Sequence, residues 1–205
     1  MYSPSAFRSS DQNEAFELMD YFPFATVVCA STGGLEISHL PVTPKRYDSS
    51  IELIGHMARA NTQWQCFKKS PVTVIFNGPH SYITPKWYRR NDVPTWNYMA
   101  VHARGTAEVI EDYSGLVGCL KDLTAHVERH WPSGWEFFMP EDLSNDRLVK
   151  SIVGFRIKVE NIDFKKKLSQ NRSHEDQDGV IKGLTQRGDD QSRMIRREME
   201  KIRAK

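Results

Sequence analysis

Phe24-Ala25-Thr26-Val27-Val28-Cys29-Ala30-Ser31-Thr32-Gly33-Gly34-Leu35-Glu36-Ile37-Ser38-His39-Leu40-Pro41 is the stretch that decides the fold. Its first eight residues are rich in Thr and Val, whose branched side chains sit well on a pleated surface. Gly33-Gly34 then offers the backbone freedom of a tight hairpin turn, and Leu35–Pro41 reads as the return strand. Upstream, Asp11-x-x-Glu14 ahead of Ala15, Phe16 and Leu18 reads as a capping box opening a short helix, which Pro23 stops. Downstream, Ile51–His56, Val72–Asn77, Ser81–Thr84, Tyr98–Val109 and Ile152–Ile162 read as further strands. Asn61 is placed to cap a helix carrying Trp64 and Phe67. Glu111-Asp112 opens a helix through about Arg129, with Leu116, Leu120 and Leu123 on one side. Strands at short, regular intervals favour a closed or partly closed antiparallel barrel over an alternating parallel sheet, so the predicted class is α+β, mainly β.

The 205 residues suit one domain, alone or with a short appendage, and 39% hydrophobic with 26% charged residues is the balance of a soluble globule. No run approaches the roughly 18 apolar residues of a membrane span, and Met1-Tyr2-Ser3-Pro4 lacks a secretory pattern, so a cytoplasmic location is expected. Cys29, Cys66 and Cys119 are far apart and form no Cys-x-x-Cys pair, which points to buried thiols rather than disulfides or zinc ligands. The net charge of +2 hides an asymmetry. From Lys182 onward stand eight basic and four acidic side chains, leaving 20 basic and 22 acidic in residues 1–181. A duplex-binding body needs a basic, phosphate-facing surface, and only the tail has a surplus. There Ile195, Met199 and Ile202 fall at i, i+4 and i+7 on a charged helix, which either lies on its own barrel or packs on a partner chain.

Four stretches are dense in polar groups yet lie among aromatic and strand-like residues: Ser38-His39-Leu40-Pro41, Gly55-His56-Met57-Ala58-Arg59-Ala60-Asn61, Pro94-Thr95-Trp96-Asn97-Tyr98 and Lys165-Lys166-Lys167-Leu168-Ser169-Gln170-Asn171-Arg172. A planar, phosphorylated cofactor asks for such a mixture, because its ring needs flat walls and its phosphate needs directed donors. No Gly-x-Ser-x-Gly elbow, Walker loop or Gly-x-Gly-x-x-Gly is present, which speaks against a nucleophile-elbow hydrolase, a P-loop NTPase and a dinucleotide-binding Rossmann domain. His126 and His130 stand four apart on a predicted helix. The order between them is not the zinc-protease pattern, and no third ligand is evident nearby in sequence. Exposed helix-end histidines are the expectation, with no metal site.

These stretches, with Met1-Tyr2-x-Pro4-x-x-Phe7, Pro23-Phe24-Ala25-Thr26, Phe76-x-Gly78-Pro79-His80-x-Tyr82-Ile83, Trp87-Tyr88 and Ile152-Val153-Gly154-Phe155, resemble the PaiB family, in the same order from Met1 to about Leu184. The resemblance implies an FMN-binding split barrel, a homodimer with flavin near the subunit interface, and a role as a negative regulator of transcription, touching DNA or the transcription machinery directly or indirectly. It divides the chain into a PaiB-like domain, 1–184, and a charged helical extension, 185–205. Two other classes stand beside it: a flavin-dependent oxidoreductase whose regulatory label is indirect, and a cofactor-free barrel working through protein contacts.

Each candidate FMN contact has an alternative. Arg59, with His56 and Asn61 adding hydrogen bonds, clamps the phosphate, or else pairs with a barrel-edge carboxylate while Asn61 only caps a helix. Lys167, Ser169, Gln170, Asn171 and Arg172 form a basic, amide-rich loop suited to phosphate or a flavin edge, or else a solvated turn. Lys165 and Lys166 are expected to be exposed. Trp96 stacks on the cofactor or packs in a barrel or dimer core, and Asn97 addresses the ligand or satisfies a turn. Ser38 and His39 donate to a ring carbonyl, lie at an interface, or are structural.

Overall fold

The computed structural model describes residues 1–47, 50–90, 92–137 and 147–204. Arg8–Ser9 (β1) and the helix Gln12–Tyr21 (α1) lead into the hairpin of Phe24–Ser31 (β2) and Gly34–Tyr47 (β3). Its register pairs Thr26 with His39 and Val27 with Ser38. The period-two alternation of β2 turns Ala25, Val27 and Cys29 inward. Ser50–Ala58 (β4), Val72–Ile83 (β5), Thr95–Ile110 (β6), the helices Tyr113–His130 (α2) and Arg147–Lys150 (α3), and Ile152–Lys167 (β7) follow. The chain ends with His174–Arg187 (α4) and Asp190–Arg203 (α5).

The seven strands pair in the order β1-β7-β4-β3-β2-β5-β6, and β6 also pairs with β7. Six strands therefore close on themselves, which is the split-barrel arrangement, and β1 adds to one of them. Beyond shifts in strand ends, expected and observed elements differ in several places. The segments expected as two strands, Val72–Asn77 and Ser81–Thr84, are one strand through Gly78-Pro79. A proline is tolerated where its missing N–H has no ladder partner to lose, and just beyond it His80 N–H is met by the Gln191 side chain at 2.9 Å. The helix expected after Asn61 is only a 3-10 turn, Thr62–Cys66, although Asn61 does cap it by accepting from Gln63 N–H. The helix α4 spans the 184/185 position where the composition changes.

The chain divides into two compact units. One contains residues 13–76 and 102–162, with a core that includes Val27, Val42, Leu53, Met57, Phe76, Phe155 and Ile157. In it α2 turns Leu116, Cys119 and His126 inward. Gly105 on β6 permits close approach to β7, because a Cβ there would stand 1.8 Å from the Lys158 carbonyl oxygen. The other contains residues 1–12, 77–101 and 163–205, and buries Ile83, Phe164, Leu168, Val180, Leu184, Ile195 and Met199. Between its last two helices Gly188 takes φ 67° and closes α4, while Asp189 caps α5 by accepting from Ser192 N–H at 2.9 Å. The stripe on the charged tail is thus spent within the chain: Ile195 and Met199 are 0% and 2% exposed. No helix among the described residues is long and apolar enough to cross a membrane.

Candidate functional site

The predicted contacts fall into two groups, one in each unit. In the unit that holds α4 and α5, the start of β6 meets the loop after β7. Asn97 is fully buried; its Nδ2 donates to Ser169 Oγ at 2.9 Å, and Ser169 Oγ in turn lies 3.2 Å from Asn97 Oδ1. That reciprocal pair holds Ser169 at φ 63°, a left-handed conformation uncommon for a residue with a side chain. Gln170 closes the loop from within, accepting from Leu168 N–H at 2.6 Å and donating to Lys166 O at 2.5 Å. Asn171 is exposed at its tip. The run is therefore a bonded loop with fixed backbone, in which only part of the polar surface is turned to solvent.

Two cations flank it. Lys167 donates to Thr95 Oγ1, and burial, then the neighbouring Lys165 and Arg172 charges, holds its pKa below the usual lysine range. Arg172 pairs with Asp92 and lies over the Tyr88 ring, 4.7 Å from its centroid. The Tyr88 hydroxyl is buried; burial raises its pKa and outweighs the opposing effect of the Arg172 guanidinium beside it, and no acceptor among the described residues meets its O–H. A buried donor without an acceptor is costly, so this O–H beside a guanidinium marks where a ligand oxygen gains. Tyr88, Thr95 and Asp92 were missed as site residues; Trp87-Tyr88 stood among the family strings, but nothing in the spacing tied it to Arg172. Trp96 is 51% exposed, which rules out packing in its own barrel core, and its ring lies 6.0 Å from those of His80 and Tyr82.

Lys165 and Lys166 correct the sequence reading: they are 8% and 6% exposed, not solvated. Lys165 donates to Tyr2 O at 3.1 Å and lies over the Tyr2 and Tyr98 rings; Lys166 Nζ stands 4.0 Å from a Glu198 carboxylate oxygen. Long alkyl stems carry these ammonium groups through apolar surroundings to distant partners.

In the barrel unit, Asn61 Nδ2 donates to Ser38 Oγ at 2.8 Å while its Oδ1 caps the 3-10 turn. His39 is exposed, with Nδ1 3.1 Å from Thr26 Oγ1 across the hairpin. All three nitrogens of Arg59 are engaged: Nε by Lys150 O, Nη1 by the Glu111 carboxylate at 2.8 Å, and Nη2 by Ile152 O. These partners tie β4 to the segment entering β7 and to the residue before the α2 cap. His56 differs from its neighbours, since its buried Nδ1 has no partner among the described residues and burial lowers its pKa.

The other chemistry-bearing side chains of this unit were read only in part. Burial pushes the Cys29 thiol up to about 11, so it is not a ready nucleophile. His126 and His130 are not exposed helix-end groups: their side chains are 7% and 19% exposed, and Asp20, distant in sequence, lies between them.

Residues 1–161 match the family described as "Putative FMN-binding domain". The chain is 38% identical over 187 residues to "Protease synthase and sporulation protein PAI 2" of Bacillus subtilis (strain 168), covering 90% of this chain and 89% of that protein. Among solved structures it is similar to the flavocytochrome Anf3 from Azotobacter vinelandii, with TM-score 0.61 and 15% identity over 78% of this chain and 69% of that one. It is also similar to the FAD and heme binding protein from Mycobacterium smegmatis, with TM-score 0.60 and 17% identity over 78% and 73%. The two structural likenesses concern the fold.

Proposed function

The chain belongs to this family of FMN-binding domains, and from that premise we propose that it is a flavin-binding split-barrel protein of the PaiB type, acting in negative control of transcription. FMN or a related flavin is the cofactor that the family supports. The observation that carries the proposal is the loop after β7, which carries the two cations Lys167 and Arg172, with Arg172 lying over Tyr88, whose buried O–H finds no acceptor among the described residues. Lys167 and Arg172 would neutralise the phosphate, and Arg172 would offer its planar fork. The Asn97–Ser169 pair would fix the loop backbone in advance, so that little ordering is left for binding. Gln170, Asn171 and the exposed face of Trp96 stand as further contacts in this unit. In the barrel unit Ser38, His39, His56, Arg59 and Asn61 remain candidate contacts, each with the partner or the unmet atom described. A bound flavin would supply reversible electron transfer, and the protein's part is to bind, orient and tune it.

Titration of the purified chain with FMN, followed by quenching of flavin fluorescence, tests this assignment. Saturable binding is expected, and Lys167→Ala or Arg172→Ala should each weaken it by about 1.5–3 kcal/mol, the worth of a hydrogen bond to a charged group. Equal affinity in wild type and both variants would sink the phosphate assignment.

A second reading, a flavin-dependent oxidoreductase, is favoured by the tail. Four of the five cations of α5 have an acid beside them: Arg193 has Asp190, Arg196 has Glu200, Lys201 has Glu198 and Arg203 has Asp178. Such a helix presents little unbalanced charge to phosphates. Sustained NAD(P)H oxidation by the FMN-loaded chain would move the assignment to the enzyme; bound flavin without turnover keeps the regulator.

A further inference from the structure

The C-terminal ends of α1 and α2 meet in the barrel unit, and three donor groups converge there: the Asp20 carboxylate, His126 and His130, with one ligand atom from each lying within 4.8 Å of the others. His126 Nε2 lies 2.7 Å from the Asp20 carbonyl oxygen. That carbonyl can only accept, so Nε2 carries the hydrogen and Nδ1 carries the lone pair. The lone pair faces Asp20 Oδ1 at 3.5 Å, two acceptors turned toward each other. His130 Nε2 lies 2.9 Å from Asp20 Oδ2 on the other side.

The Asp20 carboxylate and the His126 lone pair, acceptors turned inward, need a cation. In this structure the cation is Arg129, whose Nη2 is 2.8 and 3.1 Å from the two Asp20 oxygens, 3.3 Å from His126 Nδ1 and 3.5 Å from His130 Nε2. One nitrogen thus touches every donor that a metal would use. The Arg129 side chain is 61% exposed, whereas Asp20, His126 and His130 are 21%, 7% and 19%. The ligands are built in and the arginine can swing out.

We propose that Asp20, His126 and His130 form a binding site for a divalent first-row transition metal of the zinc class, in which Arg129 is the competing cation. The donor set, two imidazoles and a carboxylate, is the borderline set that Zn²⁺ takes. Donors about 2.0–2.1 Å from a tetrahedral ion stand roughly 3.3–3.5 Å apart, and His126 Nδ1 and Asp20 Oδ1 already do. The bond from His126 to the Asp20 carbonyl is the outer contact that metal-bound histidines characteristically make to fix ring and tautomer. His130 need only shift its hydrogen from Nε2 to Nδ1. The negative ends of two helix dipoles add to the attraction for positive charge. Three protein donors leave a fourth position for water.

The site is testable on the full chain by calorimetric titration with Zn²⁺ and by the visible spectrum of added Co²⁺, whose band intensity reports four-coordinate ligation. One equivalent of Zn²⁺ should bind. His126→Ala and His130→Ala should each weaken it at least about tenfold, the lower end of what even outer-contact losses cost at metal sites. Arg129→Gln discriminates most sharply and leaves the packing of the histidines in place. It should tighten binding by up to about fivefold, the worth of a partly exposed ion pair that the metal no longer displaces. Zn²⁺ affinity unchanged in the His126→Ala/His130→Ala double variant, or no binding by Arg129→Gln, would overturn the proposal. If an alanine variant fails to fold, Arg129→Gln alone still decides.

Discussion

His56 shows how much one buried atom asks of its surroundings. Its Nδ1 lies inside the protein without a partner, and burial lowers its pKa below the ordinary value of about 6.5. The unfolded chain therefore takes up a proton at this residue before the folded chain does. Its contribution to stability is full above about pH 6.5, declines as the pH falls through that value, and stops declining once the lowered folded pKa is passed. His126, also lowered by burial, adds a loss of the same sign. The denaturant midpoint should thus fall between neutral and mildly acidic pH, and His56→Leu should fall less steeply; identical slopes would contradict the buried, neutral imidazole. At this scale the sequence was only partly legible. Residue types at Lys167–Arg172 pointed to a polar site, but the burial of Lys165 and Lys166 depends on Tyr2 and Glu198, and the grip on Arg59 depends on Glu111 and Lys150. Pairing across such separations leaves no periodic trace along the chain.

Elements were easier to read where local signals agreed. Branched residues followed by Gly33-Gly34 placed the β2–β3 hairpin, and Asp112, which accepts from Gly115 N–H, placed the start of α2. Reading failed where a tertiary partner overrode a local signal. Gly78-Pro79 looks like a break, yet β5 runs through it; Gly188-Asp189, a glycine stop followed by an Asp cap, separates two helices where one charged segment was expected. The outcome for α5 is specific. Met199 is 2% exposed and its sulfur lies 3.5 Å from Asn97 Nδ2, so the helix buttresses the loop that carries Ser169. Met199→Ala should cost about 2–5 kcal/mol of stability, the usual range for emptying a core methionine site. It should lower the denaturant midpoint with little change in slope. A neutral result would mean that α5 does not dock within its own chain.

For the whole molecule, the regular spacing of strand-like runs was enough to anticipate a barrel, and the pairing of β6 with β7 closes it. Charge distribution told more by subtraction than by addition: the tail's excess of four positive charges over its acids is real, but four of its eight cations have a carboxylate beside them. What the family supports at this scale is a flavin, and the central claim stands or falls on it. The most direct measurement is the visible absorption spectrum of the full chain after incubation with FMN and removal of free ligand by gel filtration. A flavin spectrum that travels with the protein, near one equivalent per chain and lost together in Lys167→Ala/Arg172→Ala, is the expected result. Protein that elutes without flavin bands at every FMN concentration tried would contradict the account.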